Sequence, residues 1–189
     1  DLAGVDLDYL HLGGDEVPSG AWLHSPMIRN SGLWQPQWDA ADDEAEITAT
    51  LTRYYAERIT RLAAEILPET QLGFWHEMSP ALPPDFHGYV NGWTTEAGDR
   101  QLIEALLNRN QQLVISNASY LYLDMPYALH PEEPGLPWAG YIDEAHIHGF
   151  DPIGCWHIED HQVNQVRGLQ AQLWSETIFT PEILYYHLF

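Results

Sequence analysis

The segment from Asp8 to Trp22 carries the sharpest chemical signal in this 189-residue chain. An apolar run, Tyr9, Leu10 and Leu12 around His11, leads into Gly13 and Gly14, and Asp15 and Glu16 then stand side by side. Paired glycines let a backbone turn closely beneath a ligand, which separates this pair from a generic acidic turn. Tryptophan is the second signal, with 8 Trp beside 10 Tyr and 5 Phe. Aromatics at the ends of apolar runs make stacking surfaces for flat ligands with apolar faces, sugar rings among them. Two consecutive carboxyls cannot flank a glycosidic bond from opposite faces, where a retaining pair sits about 5–5.5 Å apart and an inverting pair about 6.5–9.5 Å. They must do different jobs on one side: one a general acid, its pKa held up by burial and by its charged neighbour, the other an ionised group that orients the substrate. No enzyme nucleophile is then left over, which opens the way for a substrate that supplies its own.

These residues need elements to hold them. Five short apolar runs read as buried parallel strands: Val5 to Leu12, Gln71 to Trp75, Gly88 to Trp93, Gln112 to Asn117 and Gly168 to Trp174. Helical spacing of Ile47, Leu51, Tyr54, Tyr55, Ile59, Leu62 and Ile66 predicts a helix from Glu44 to Leu67, stopped by Pro68. Leu102, Ile103, Leu106 and Leu107 predict a second over Ala97 to Asn110. Strand and helix in alternation imply an α/β fold with parallel strands and right-handed crossovers. The long loops Pro18 to Asp43, Met125 to Ala139 and His148 to Val166 all follow strand C-terminal ends, the side on which (β/α)8 barrels build their sites. Five strands do not close such a barrel, so either three units precede Asp1 or the sheet is open. No linker divides residues 1–189, which read as one partial domain.

The H-x-G-G-D-E arrangement of His11, Gly13, Gly14, Asp15 and Glu16 resembles the hallmark of the family 20 glycoside hydrolases, the β-N-acetylhexosaminidases. That resemblance implies a TIM barrel with this motif at the end of its fourth strand. The chain would then hold strands four to eight, truncated at both ends, with the rest of the parent barrel N-terminal to Asp1. It further implies that Glu16 is the general acid/base. Asp15 would hold the nitrogen of the substrate's 2-acetamido group while its carbonyl oxygen attacks the anomeric carbon to form an oxazolinium. Trp75 and Trp93 resemble the tryptophans that wall the acetamido pocket. Tyr122 and Asp124 match the Tyr-x-Asp step, the hydroxyl for the acetamido oxygen and the carboxylate for sugar hydroxyls, and alternation on a strand extension would put both on one face. Trp174 resembles the platform under the pyranose, and Glu176 the carboxylate for its 4- and 6-hydroxyls. The family's arginine on the first barrel strand has no counterpart, and the chain stops at Ile183 to Phe189, where the family continues into its last helix. The expected partner is an N-acetylhexosamine-terminated oligosaccharide or glycoconjugate, with no cofactor.

Composition agrees with such a ligand. Lys+Arg number 7 against 28 Asp+Glu, a formal net charge of −21, which repels nucleic acid and anionic membrane alike. All the cations are arginine, which removes lysine Schiff bases and a phosphate-loop lysine. Cys155, alone, cannot form an intrachain disulfide and leaves the redox compartment open, with a periplasmic or secreted setting favoured. His146 and His148 form an H-x-H pair, but after a helical stretch, Gly140 to Ala145, rather than in a strand, which argues against metal ligation. His157 and His161 lie in a charged loop and suit a solvated or substrate-rim role. Two other classes stay open: a metal-dependent hydrolase using Asp15, Glu16 and loop histidines, which a chelator would abolish, and a sugar-binding module without turnover.

Overall fold

The computed structural model describes residues 6–32, 43–95 and 100–189. Val5, part of the Pro18 to Asp43 loop, and Ala97 to Asp99 lie outside them. The chain divides into two compact units, Asp1–Tyr89 and Val90–Phe189.

In the first unit, β1 (Tyr9–His11) leads through a short helix, α1 (Pro26–Asn30), to the long α2 (Glu44–Ile66) and then β2 (Gln71–Trp75). Asp43 caps α2 by accepting the Glu46 N–H at 2.9 Å, and Glu44 and Glu46 place negative charge in its first turn. The predicted apolar stripe is only partly buried. Ile47 and Leu51 pack with Leu23, and Ala56 and Ala63 are buried, but Tyr54, Tyr55, Leu62 and Ile66 are exposed. The small side chains, absent from the predicted stripe, mark where α2 comes close to its neighbours. β1 and β2 are parallel, with Tyr9 opposite Gln71, Leu10 opposite Leu72 and His11 opposite Gly73. Beyond β1 the ladder continues as Trp75 N–H donates to the Gly13 carbonyl at 3.0 Å. A 3-10 helix, His76–Ala81, follows β2 at once and buries Met78.

The strand β3 (Tyr89–Gly92) gives its last three residues to the second unit, which continues with α3 (Arg100–Asn108), β4 (Gln112–Ile115) and α4 (Ala118–Leu121). Then come α5 (Glu144–His148), a 3-10 helix (Asp160–Gln165), β5 (Val166–Leu169) and α6 (Pro181–Leu188). β4 and β5 are parallel, Leu113 opposite Val166 and Ile115 opposite Leu169, with a register shift after Leu113. Ile103, Leu106 and Leu107 of α3 are buried, as are Leu113 and Ile115 of β4 and Val90 of β3.

Four predicted strands end early: β1 at His11 and β3 at Gly92, each one residue short, β4 at Ile115 and β5 at Leu169. Asn117 caps α4 by accepting the Ser119 N–H at 2.9 Å, which turns the chain after β4 into a helix. β5 ends at Leu169; the Gln170 N–H still reaches the Ile115 carbonyl at 2.9 Å, and beyond it Gln172 pairs again, its N–H donating to the Leu121 carbonyl at 2.9 Å and its carbonyl accepting the Leu123 N–H at 2.8 Å. Trp174 therefore lies five residues past β5 rather than ending it, and Tyr122 and Asp124 do not lie on a strand extension. Tyr122 instead forms an isolated parallel bridge with Gln172. The His pair is also placed differently: His146 and His148 lie within α5, which begins where Asp143 accepts the His146 N–H at 2.8 Å, and Gly140 lies outside the helix.

Candidate active site

In the first unit, the catalytic candidates leave β1 through a turn built from unusual backbone. Gly13, Gly14 and Glu16 all have positive φ, at 71°, 95° and 47°. A Cβ on Gly14 would come 2.1 Å from Met78 Cγ, so only glycine fits over the buried methionine. Glutamate has no such freedom, and the left-handed conformation at Glu16 is backbone strain. The turn delivers Asp15 and Glu16 to the exposed side. The burial expected of the acid is thus absent among the described residues, where Glu16 instead borders an open cavity.

His11 stands behind the turn. Its Nδ1 accepts the Gly13 N–H at 3.1 Å, and its ring meets Trp75 edge-on, centroids 4.9 Å apart, and Tyr89 at 6.1 Å. Burial pushes the imidazole below the ordinary histidine value, with Asp15 and the Phe74 carbonyl pulling the other way. Trp75 is buried, so within this unit it packs against His11. A cavity of about 420 Å³ is lined by Glu16 and Gly14 from the turn, Thr48, Thr52 and Arg53 from α2, and Glu77 and Met78 from the 3-10 helix.

The second unit gathers the remaining candidates. Trp93 and Tyr122 lie nearly parallel, 6.5 Å apart at 22°, and Tyr122 and Trp174 meet at 5.9 Å and 59°. Asp124 is buried, and its Oδ1 accepts the Trp174 backbone N–H at 3.1 Å. Burial raises its carboxyl above the usual range, opposed by the Trp174 N–H, while the nearby Glu176 adds to the rise and His187 lowers it. Trp174 and Glu176 are exposed.

Three features here escaped the sequence reading. Trp138 meets Trp93 at 6.2 Å and 77° and Tyr122 at 5.7 Å and 81°, closing the aromatic group from a third side. Its signal was present: a lone tryptophan in a long loop rich in proline and glycine. A buried polar network joins Asn91 Nδ2 to Ser116 Oγ at 3.0 Å and to Gln170 Oε1 at 2.8 Å, and Gln172 Nε2 to the same Ser116 at 3.3 Å. His187 is buried on α6, which nothing in a mixed apolar and polar helix announced.

The other histidines have structural work or solvent. His146 stacks on Tyr120, 4.4 Å apart and 5° from parallel, and its Nε2 lies 2.9 Å from the Ser119 carbonyl oxygen. His148, His157 and His161 are exposed. Among the described residues no group of three or more His, Cys, Asp or Glu side chains is arranged to hold a metal ion.

The family model of glycosyl hydrolase family 20, catalytic domain, matches residues 2–189. The chain belongs to that family. It is 24% identical over 184 residues to a beta-hexosaminidase of Vibrio furnissii, covering 96% of this chain and 27% of that protein. To the chitooligosaccharidolytic beta-N-acetylglucosaminidase of Ostrinia furnacalis it is 29% identical over 180 residues, covering 89% and 28%. The crystal structure of the family 20 exo beta-N-acetylglucosaminidase of Vibrio harveyi in complex with N-acetylglucosamine aligns with a TM-score of 0.68 at 26% identity, over 96% of this chain and 26% of that one. The chain thus spans about a quarter of the length of these family 20 relatives. The parallel strands with intervening helices accord with the family's TIM barrel.

Proposed function

We propose that the protein containing residues 1–189 is a retaining exo-β-N-acetylhexosaminidase, in which this chain forms the fourth to eighth strands of one catalytic barrel. It removes terminal β-linked N-acetylglucosamine or N-acetylgalactosamine from oligosaccharides or glycoconjugates, and the chitooligosaccharide-cleaving relative supports chitin fragments as one source. The observation that carries this reading is the turn after β1. A turn with positive φ at Gly13, Gly14 and Glu16 leaves two consecutive carboxyls exposed just past one strand end. Adjacent carboxyls suit a substrate that carries its own nucleophile and do not suit a pair straddling the bond.

In the first step Glu16 gives its proton to the glycosidic oxygen, the bond from that oxygen to C1 breaks, and the acetamido carbonyl oxygen bonds to C1. Asp15 accepts the acetamido N–H and stabilises the positive charge of the oxazolinium. Glu16, now a carboxylate, takes a proton from water, which attacks C1 from the vacated side and reopens the ring with configuration retained. Trp75 and Trp93 wall the acetamide, Tyr122 donates to its oxygen, and Asp124 and Glu176 accept sugar hydroxyls over Trp174.

Glu16→Gln in the full-length protein is the test. Turnover on poor leaving groups falls roughly 10²–10⁴-fold, the usual worth of a general acid. The loss shrinks on activated phenyl glycosides, which leave without protonation. An equal loss on both, or hydrolysis of the matching glucoside that lacks the acetamide, would remove this mechanism.

A further inference from the structure

One buried hydroxyl in the second unit joins the strand that carries Trp93 to the segment that holds Tyr122. Ser116, one residue past β4 and fully buried, accepts at Oγ from Asn91 Nδ2 at 3.0 Å and from Gln172 Nε2 at 3.3 Å. Asn91 lies in β3, two residues before Trp93. Gln172 grips the backbone on either side of Tyr122, through its N–H to the Leu121 carbonyl and its own carbonyl to the Leu123 N–H. The Trp93 and Tyr122 rings, 6.5 Å apart and 22° from parallel, are thus cross-tied behind their backbones through a single oxygen. Other bonds do not use that oxygen. The Ser116 N–H donates to the Gly92 carbonyl at 2.8 Å, the Ala118 N–H to the Trp93 carbonyl at 3.1 Å, and Asn91 Nδ2 to Gln170 Oε1 at 2.8 Å. These hold the strand ends together when the hydroxyl is removed, so the cross-tie is separable from the fold.

Resting on the hexosaminidase reading, we propose that Ser116 is a positioning residue whose hydroxyl fixes the spacing of Trp93 and Tyr122 and so decides which N-acyl groups the site accepts. A buried amide that loses its acceptor keeps the full cost of its desolvation, so the Gln172 side chain has one favoured orientation while the hydroxyl is present. Without Oγ, Nε2 turns to another partner, the segment around Gln172 shifts, and the backbone bridge carries Tyr122 with it. In the proposed function the acyl group lies against Trp93 and its oxygen against the Tyr122 hydroxyl. A change in ring spacing is therefore felt first at the acyl end of the sugar. A pocket fitted to a methyl group discriminates against each added methylene by roughly 10–200-fold, and a looser one gives part of that away.

Two measurements on the full-length protein test this. The first compares kcat/KM for an aryl N-acetylglucosaminide and its N-butyryl analogue in wild type, Ser116→Ala and Gln172→Met. Wild type favours the acetyl substrate, and each variant narrows that preference by about tenfold, the lower end of what one methylene is worth. The double variant narrows it no further, because both substitutions cut the same bond. Gln172→Met keeps the side-chain length and the backbone bridge, and it carries the test if Ser116→Ala does not fold. A lowered unfolding midpoint with an unchanged acyl preference makes Ser116 a packing residue only and overturns the proposal, as do additive effects. The second measurement is the separation of the Trp93 and Tyr122 rings in crystal structures of wild type and Gln172→Met. A changed separation supports the tie, and an unchanged one overturns it whatever the protein hydrolyses. Wild type without turnover of the acetyl substrate overturns the hexosaminidase function and the acyl role with it, while a changed ring separation still stands for the tie.

Discussion

His11 accepts a hydrogen bond from the backbone of Gly13, N–H to Nδ1, at 3.1 Å. A neutral ring accepting at Nδ1 carries its proton on Nε2. The imidazole therefore serves as a latch on the glycine turn, not as a base in it. His11→Asn, whose side-chain oxygen can replace Nδ1, retains most of the activity of the full-length protein, and His11→Phe loses it while keeping the packing against Trp75. Equal activity in the two variants would take the latch away.

The same ring makes stability depend on pH. Its native pKa lies below the ordinary 6.5, as does that of His187, so below pH 6.5 the unfolded chain binds protons that the native state refuses. Stability from these two groups is intact above 6.5 and is lost as pH falls beneath it. Asp124 runs oppositely: its raised pKa costs stability as pH climbs past 3.8. Urea denaturation of the His11→Asn, His187→Gln double variant at a series of pH values shows a flatter slope just below 6.5 than wild type. An identical slope would mean that neither histidine is desolvated in solution.

Gly14 has no room to change. Alanine there meets both a left-handed backbone and Met78, and the loss exceeds the ~1 kcal/mol that glycine-to-alanine exchange brings at compatible sites. Gly14→Ala with Met78→Ala recovers the steric part but not the backbone part. Full recovery in chemical denaturation would show that φ at this position is irrelevant.

Trp174 separates two roles, because Asp124 bonds its backbone while its exposed ring, which meets Tyr122, is the proposed sugar platform. Trp174→Ala keeps that bond, and kcat/KM falls by up to several kcal/mol in transition-state terms, in the range of large aromatic truncations. Glu176→Gln changes instead the ratio of kcat/KM for gluco and galacto substrates, which differ only at the 4-hydroxyl. A constant epimer ratio would place Glu176 outside the sugar site.

Trp138 is 53% exposed although it touches Trp93 and Tyr122. Trp138→Ala therefore weakens sugar binding while the unfolding midpoint moves little. A large drop in the midpoint with unchanged binding would make it a packing residue.

What could be read in the sequence divides along a physical line. Gln71–Trp75 and α2 were legible almost to the residue, because an apolar run bounded by Pro68, or a helix capped by Asp43, is specified by its own neighbours. The ends of β4 and β5 were not. That of β4 depends on Asn117, whose side chain opts for a helix cap, a choice that apolar alternation does not register. The motifs paired Trp93 with Trp75, whereas in the second unit Trp93 and Trp174 both meet Tyr122, which is held by a single-residue bridge to Gln172 rather than by the expected strand. Trp138 and His187 join through loop and helix packing, for which no local pattern exists.

The left-handed backbone at Glu16 has a consequence for anyone who evolves this protein in the laboratory. Glycine takes that conformation freely and asparagine at small cost, while glutamate pays for it in every folded molecule. A library screened only for heat resistance would therefore enrich substitutions at position 16, and its sturdiest members would be the ones that had discarded the proposed proton donor. Activity has to be part of the screen from the first round.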